Sequence, residues 1–202
     1  MNKFSKLGLV SVVALSISGI SFLGESTNGA NTVYAKAQQT ALGAGSFKVG
    51  KSKDIKPGRY IIKATNGSGN VSNSTGSLNL ILGQTPDENS GQVDSYTTTL
   101  KKGDTVQLEG IESTSFSPAG KRTYKTQLNA GDWVVGKDIK PGRYIITAIS
   151  GSGNISTDDG DVNEILGTTS DENSGQVTKV TADLTKGQVL STGLEQINLA
   201  KD

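Results

Sequence analysis

The chain has 202 residues, with 26 Gly and 4 Pro, 20 Lys+Arg against 19 Asp+Glu, no Cys and no His. A charge balance this close to zero gives no basic excess to release counterions from a polyanion or to draw the chain onto an anionic membrane, so nucleic acid and membrane surfaces are poor partners. The absent residue types remove disulfides, thiol nucleophiles, thiolate metal ligands and the usual near-neutral proton shuttle.

Residues 1–37 read as a signal peptide. Lys3 and Lys6 form a positive start, Leu7 to Leu23 an uncharged, mostly apolar run, and Val33-Tyr34-Ala35 or Ala35-Lys36-Ala37 a small-residue cleavage site. The alternative is an uncleaved anchor, but the apolar run contains four serines and is short for a membrane span. Membrane contact is therefore expected only through this segment before cleavage. Loss of Lys3, Lys6, Lys36 and Glu25 takes the formal charge from +1 to −1.

Beyond the signal, strands are expected at Phe47–Gly50, around Tyr60–Ala64, and at Gly69–Ser72, Leu78–Leu82, Val93–Leu100 and Thr105–Ile111. In the clearest of these, Tyr60, Ile62 and Ala64 alternate with Arg59 and Lys63, the period of a half-buried strand. Lys56-Pro57-Gly58-Arg59 fits a type II turn, with Pro presetting φ and Gly accepting a positive φ after it. Asn66-Gly67 signals a hairpin, and Lys102-Gly103-Asp104 a further one.

The phrase Asp-Ile-Lys-Pro-Gly-Arg-Tyr-Ile-Ile at Asp54–Ile62 returns unchanged at Asp138–Ile146. From Asp54–Val93 against Asp138–Val177, 28 of 40 positions match without a gap, so the chain holds two copies of one module. The first is expected over 45–118 and the second over 131–200. The polar stretch 119–130, with Lys121, Arg122 and Lys125, reads as a linker or one extra strand. The second copy repeats the strand pattern at Trp133–Gly136, around Tyr144–Ala148, and at Gly153–Ser156, Val162–Leu166, Val177–Leu184 and Val189–Leu194. Glu164 replaces Leu80, which marks an edge or an exposed face. Lys140-Pro141-Gly142-Arg143, Ser150-Gly151 and Lys186-Gly187-Gln188 repeat the turns. Six short strands per copy and no long helix predict two tandem, small antiparallel β-sandwich or barrel domains after the signal peptide. A module of about 75 residues buries only about 60–65% of its unfolded surface, so packing between the copies would matter.

Candidate sites each have a functional and a structural reading. Asp54, Arg59 and Tyr60, with Asp138, Arg143 and Tyr144, could form a ligand-binding face; the same residues serve a tight turn feeding a core strand. Asp87-Glu88-Asn89-Ser90-Gly91 and Asp171-Glu172-Asn173-Ser174-Gly175 offer oxygen ligands for calcium, but lack the alternating spacing of the twelve-residue calcium loop and also describe a solvated turn. Asp158, Asp159 and Asp161 add acid in the second copy alone. Phe47 and Trp133 could stack on a sugar or anchor the first strand. Gly67-Ser68-Gly69-Asn70 and Gly151-Ser152-Gly153-Asn154 lack the Lys-Ser/Thr and the helix of a phosphate loop. No base is spaced to activate a serine, and paired carboxylates for glycoside hydrolysis stay open.

Val49-Gly50, Asp54-Ile55, Pro57-Gly58 and Tyr60 resemble a repeat of exported proteins and lipoproteins of Gram-positive bacteria, with the core Val-Gly-x-Asp-Ile-x-x-Gly-x-Tyr. Val135 to Tyr144 matches without a gap; the first copy carries two extra residues near Lys51-Ser52. The resemblance implies an exported β module and brings no catalytic or binding residues with it. The expected function is a secreted, non-enzymatic binding or structural module, outside the cell or held non-covalently at its envelope. Its candidate partners are a cell-wall polymer, a glycan or a host surface, with two copies giving avidity. The alternatives are a carbohydrate-binding module, with or without calcium, and a small carboxylate-dependent hydrolase. No cofactor is expected. A sugar binder should expose aromatics such as Trp133 or Tyr96 in a row.

Overall fold

A computed structural model describes residues 36–202; the expected signal peptide lies almost wholly outside them. Thirteen strands follow one another and no described residue is helical. They are β1 (Thr40–Leu42), β2 (Gly45–Lys48), β3 (Gly58–Asn73), β4 (Asn79–Gly83), β5 (Gln92–Val93), β6 (Ser95–Leu100) and β7 (Thr105–Pro118), then β8 (Gln127–Val134), β9 (Gly142–Ser150), β10 (Ser152–Thr157), β11 (Asn163–Gly167), β12 (Lys179–Leu184) and β13 (Val189–Lys201).

The spine of the first copy is the long antiparallel ladder of β3 and β7. Tyr60–Ala64 pairs with Thr114–Pro118, and Asn70–Asn73 with Val106–Glu109; between Ala64 and Asn70 the register shifts repeatedly. Gly67 (φ +76°) and Gly110 (φ +78°) sit in this irregular stretch, where a left-handed residue lets the ladder bend. β6 flanks the first half of β3, β4 the second half, and β1 and β2 line the far side of β7. The side chains turned inward by both halves, among them Tyr60, Ile62, Val71, Leu108 and Phe116, share one core, so the halves fold over each other.

In the second copy β9 and β10 take the place of β3, interrupted at Gly151 (φ +81°), and both pair with β13. β8 lies along the other side of β13 and does in one strand what β1 and β2 do in two. Tyr144, Ile146, Ile155, Leu190 and Ile197 belong to a second core. A single parallel bridge, Thr97 to Gly131, joins β6 to β8, and through it all thirteen strands form one hydrogen-bonded sheet instead of two separate ones.

Several local expectations are corrected. Asn66-Gly67 makes no hairpin: residues on both sides pair with the same strand β7, so the positive φ of Gly67 serves a bulge and not a reversal. Ser150-Gly151 behaves likewise against β13. The turns at Lys102–Asp104 and Lys186–Gln188 exist, but do not join paired neighbours: β6 and β7 lie on opposite sides of β3, and β12 and β13 on opposite sides of β9. Asp104 accepts from the amide of Lys101, and Gln188 Oε1 from that of Thr185, closing each turn. The Pro-Gly pairs form no type II turn either. Gly58 (φ +157°) and Gly142 (φ +150°) lie far from the value of about +80° that turn requires. Gly58 serves a close approach instead, since a Cβ there would come 2.5 Å from that of Ala37.

The boundaries also differ. β1 extends the first copy before Gly45, and Gln127–Ala130 of the expected linker form the first half of β8. Ala130 packs into the first core, not the second. Val93–Leu100 divides into β5 and β6, and β11, carrying exposed Glu164, pairs along its length with β10 and meets only a parallel bridge from Val177 to Leu166 on its other side, among the described residues.

Candidate functional site: the junction between the copies

The residues of the repeated phrase do not gather into one face per copy. Tyr60 and Tyr144 go into the cores, and their hydroxyls donate to the carbonyls of Lys56 and Lys140 (2.8 and 2.9 Å), tying down the bend before each strand. Asp54 and Asp138 accept from the amides of Lys48 and Val134 (both 2.9 Å) and so hold the turn that precedes the phrase. Arg59 and Arg143 diverge. Arg143 is exposed and pairs within its own copy with Asp183 (2.7 Å) and Asp202 (2.8 Å). Arg59 reaches across into the second copy.

There, Arg59 Nη1 donates to the carbonyl of Asp132 (2.9 Å), Nη2 lies 3.5 Å from Asp138, and the guanidinium stands 5.2 Å from the centroid of the Trp133 ring. Lys125 Nζ is 5.6 Å from the same ring, and Arg122 donates to Asp138. Burial lowers the Arg59 pKa and Asp138 opposes that shift; a guanidinium starts so high that it keeps its charge. Trp133 itself is only 7% exposed, with its ring N–H donated to the Asn129 carbonyl (2.9 Å).

Beside this group lies a polar knot centred on Asp132. Its Oδ1 accepts from Tyr96 Oη and Ser191 Oγ (2.8 Å each), and its Oδ2 from Thr98 Oγ1 (2.6 Å). Tyr96 and Thr98 come from β6 of the first copy, Ser191 from β13 of the second. Burial, then the Asp132 charge, pushes the Tyr96 phenol far above its ordinary value, so it acts only as a donor. The glycine at 131 permits the approach: a Cβ there would lie 2.6 Å from the Thr97 carbonyl oxygen.

A cleft of about 300 Å³ opens over the junction, bordered by Arg59, Lys121, Arg122, Lys125, Trp133 and Asp138. Four cations line this cleft with one buried carboxylate, Asp138, which Arg59 and Arg122 approach directly. This local excess is built by topology in a chain whose overall charge is nearly balanced. A smaller opening of about 170 Å³ lies where the Asp87–Gly91 loop meets the second copy, and Glu88 Oε1 there accepts from the Gly151 amide (3.0 Å). Glu195 Oε2 is buried in it without a hydrogen-bond partner among the described residues. Burial and Asp94 raise the Glu195 pKa, and Lys63 opposes them.

The acidic loops use their carboxylates locally. Asp87 accepts from the Asn89 amide (3.1 Å) and Ser90 Oγ (2.9 Å), and Asp171 repeats this with Asn173 (3.0 Å) and Ser174 (2.9 Å). The Ser174 hydroxyl and Asn173 amide hold the Asp171 carboxyl below its ordinary value. Asp158 and Asp159 bind the Val189 amide and the Gln188 side chain. Among the described residues no three Asp or Glu side chains are arranged around a metal-sized space. Trp133 and Tyr96 are both buried and present no exposed aromatic row; Phe47 is half-buried.

Of the residues that carry the junction, Asp132 was not singled out from the sequence, Tyr96 was named only as an aromatic a sugar binder would expose, and Arg122 only as part of the polar linker. The signal lay in the differences between the copies: Asp132 stands where the first copy has Ser46, and Tyr96 and Thr98 where the second has Val180 and Ala182. No family model matches the chain, and no curated protein or solved structure was found similar to it.

Proposed function

We propose that the chain is an exported, non-enzymatic binding protein of the Gram-positive cell envelope, made of two small β-sandwich or barrel modules, and that its binding region is the basic cleft at their junction. The observation that carries this is the convergence of Arg59, Lys121, Arg122 and Lys125 around one cleft. Cations on a rigid β scaffold, with an aromatic ring held behind them, suit an acidic polymer, either a phosphate-bearing wall polymer or an acidic glycan. The resemblance of the repeated phrase to exported envelope proteins supports the same setting. The carboxylate-dependent hydrolase is less well supported, because Asp132 and Asp138 are each engaged by several donors.

The test is binding of the purified protein to arrays of wall polymers and glycans, with fractionation of the producing cells. Retention by acidic polymers that weakens with salt and is lost in a Lys121→Glu/Lys125→Glu variant is the expected result. Salt-independent retention, or equal binding by that variant, would refute the reading.

A further inference from the structure

The internal junction is heterologous: the β6 side of one copy meets the β8 side of the next. Each copy has both sides, so among the described residues one example of each is unused. The unused counterpart of the β8 side is β1 and β2 of the first copy, and that of the β6 side is β12 of the second. Ala130 and Trp133 are buried at the junction, whereas their counterparts Ala44 and Phe47 are exposed and half-buried. Tyr96 is buried while Val180 is half-buried, and Thr181 is exposed where Thr97 is half-buried. No described strand pairs the outer edge of β12.

From this we propose that the protein associates head to tail with further copies of itself, the β12 side of one chain docking on the β1–β2 side of the next in the geometry of the internal junction. The complementarity is retained in its main parts. Gly45 repeats Gly131, whose missing side chain admits the neighbouring strand, and Thr181 repeats the Thr97 that bridges to it. Arg143 and Asp54 repeat the Arg59–Asp138 pair, so Arg143 would exchange its exposed partners Asp183 and Asp202 for Asp54 of the next chain. Glu172 and Gly67 repeat Glu88 and Gly151. The polar knot is removed from both sides together: Ser46 replaces the acceptor Asp132, and Val180 and Ala182 replace the donors Tyr96 and Thr98. No carboxylate is left facing apolar groups, and only the small Ser46 hydroxyl stands in the acceptor's place. A contact of this kind does not close on itself, and it builds open chains.

The experiment is analytical ultracentrifugation of the protein, as purified from its producing cells, over a wide concentration range. The wild type should grow with concentration beyond a dimer. Ser46→Arg and Thr181→Arg, at exposed positions on opposite ends, should each be monomeric alone, and an equimolar mixture of the two should stop at the dimer, since only one productive pair of faces remains. A Ser46→Asp/Val180→Tyr/Ala182→Thr variant, which restores the knot between chains, should shift assembly to at least ten-fold lower concentration. A wild type that stays monomeric throughout overturns the proposal, whatever the triple variant does. So does a single arginine variant that still self-associates, because a symmetric contact through one face would then be operating.

Discussion

The Asp132 knot gives the sharpest test of how the two copies are held. Changing Asp132 to Ala leaves the hydroxyls of Tyr96, Thr98 and Ser191 without their acceptor, two of them on buried residues. A buried polar group left unpaired costs about 1–3 kcal/mol, and water from the adjacent cleft recovers part of it, so a total of about 3–4 kcal/mol is expected. That is a large share of the roughly 5–15 kcal/mol that keeps a domain folded. The chain has one tryptophan, Trp133, and it lies in the junction, so urea unfolding followed by its fluorescence reads the right place. The decisive control is the same change in a Tyr96→Phe/Thr98→Val background. With the donors already apolar, Asp132→Ala should cost less than about 1 kcal/mol, because interacting residues are not additive. A cost below about 1 kcal/mol in the wild-type background, or an equal cost in both, would show that the hydrogen bonds do not couple the copies.

Three further outcomes follow from the same geometry. Arg59→Ala should cost about 2–3 kcal/mol through its lost hydrogen bond, ion pair and ring contact, whereas Arg143→Ala, whose partners are exposed, should leave the unfolding midpoint unmoved. Gly69→Ala should destabilise clearly more than Gly153→Ala in the same assay, because the new Cβ meets a backbone oxygen at 1.9 Å in the first copy and nothing nearer than 3.1 Å in the second. Because the folded state raises the Glu195 pKa, it binds that proton more tightly than the unfolded chain. Stability from this group is fully present below the unfolded glutamate pKa and is lost as pH rises through the folded value. Glu195→Gln should flatten the stability–pH curve in that window, and an unchanged curve would remove the effect.

The duplication and the all-β class were legible because both rest on local pattern: nine repeated residues, and the alternation of Tyr60, Ile62 and Ala64 with charged neighbours. Asn66-Gly67 was misread because a positive φ at glycine serves a hairpin and a bulge equally, and only the partner strand decides which. Whether the chain reverses there depends on β7, about forty residues later. The junction was hidden for a different reason. Alignment of the copies pairs Arg59 with Arg143 and Asp54 with Asp138, whereas the fold brings Arg59 of one copy to Asp138 of the other. Identity between copies reports what a module needs for itself. The contact between modules shows in what they do not share: Asp132 against Ser46, Tyr96 against Val180, Trp133 against Phe47.

Those differences also separate what holds within a chain from what forms between chains. A carboxylate taking hydrogen bonds from both copies must give up water to do so, and its return is mainly in alignment: Asp132 accepts from Tyr96 and Thr98 only when β6 and β8 stand in one register. Inside the chain this register is also favoured by the short connection 119–126, which keeps the second copy at a high effective concentration. At the free ends both advantages are missing. Ser46 against Val180 and Ala182 retains shape but no directional bond, and no covalent link holds the partners near. The contact between chains should therefore dissolve on dilution at neutral pH without any loss of folded signal from Trp133, while the internal junction should persist until the chain unfolds.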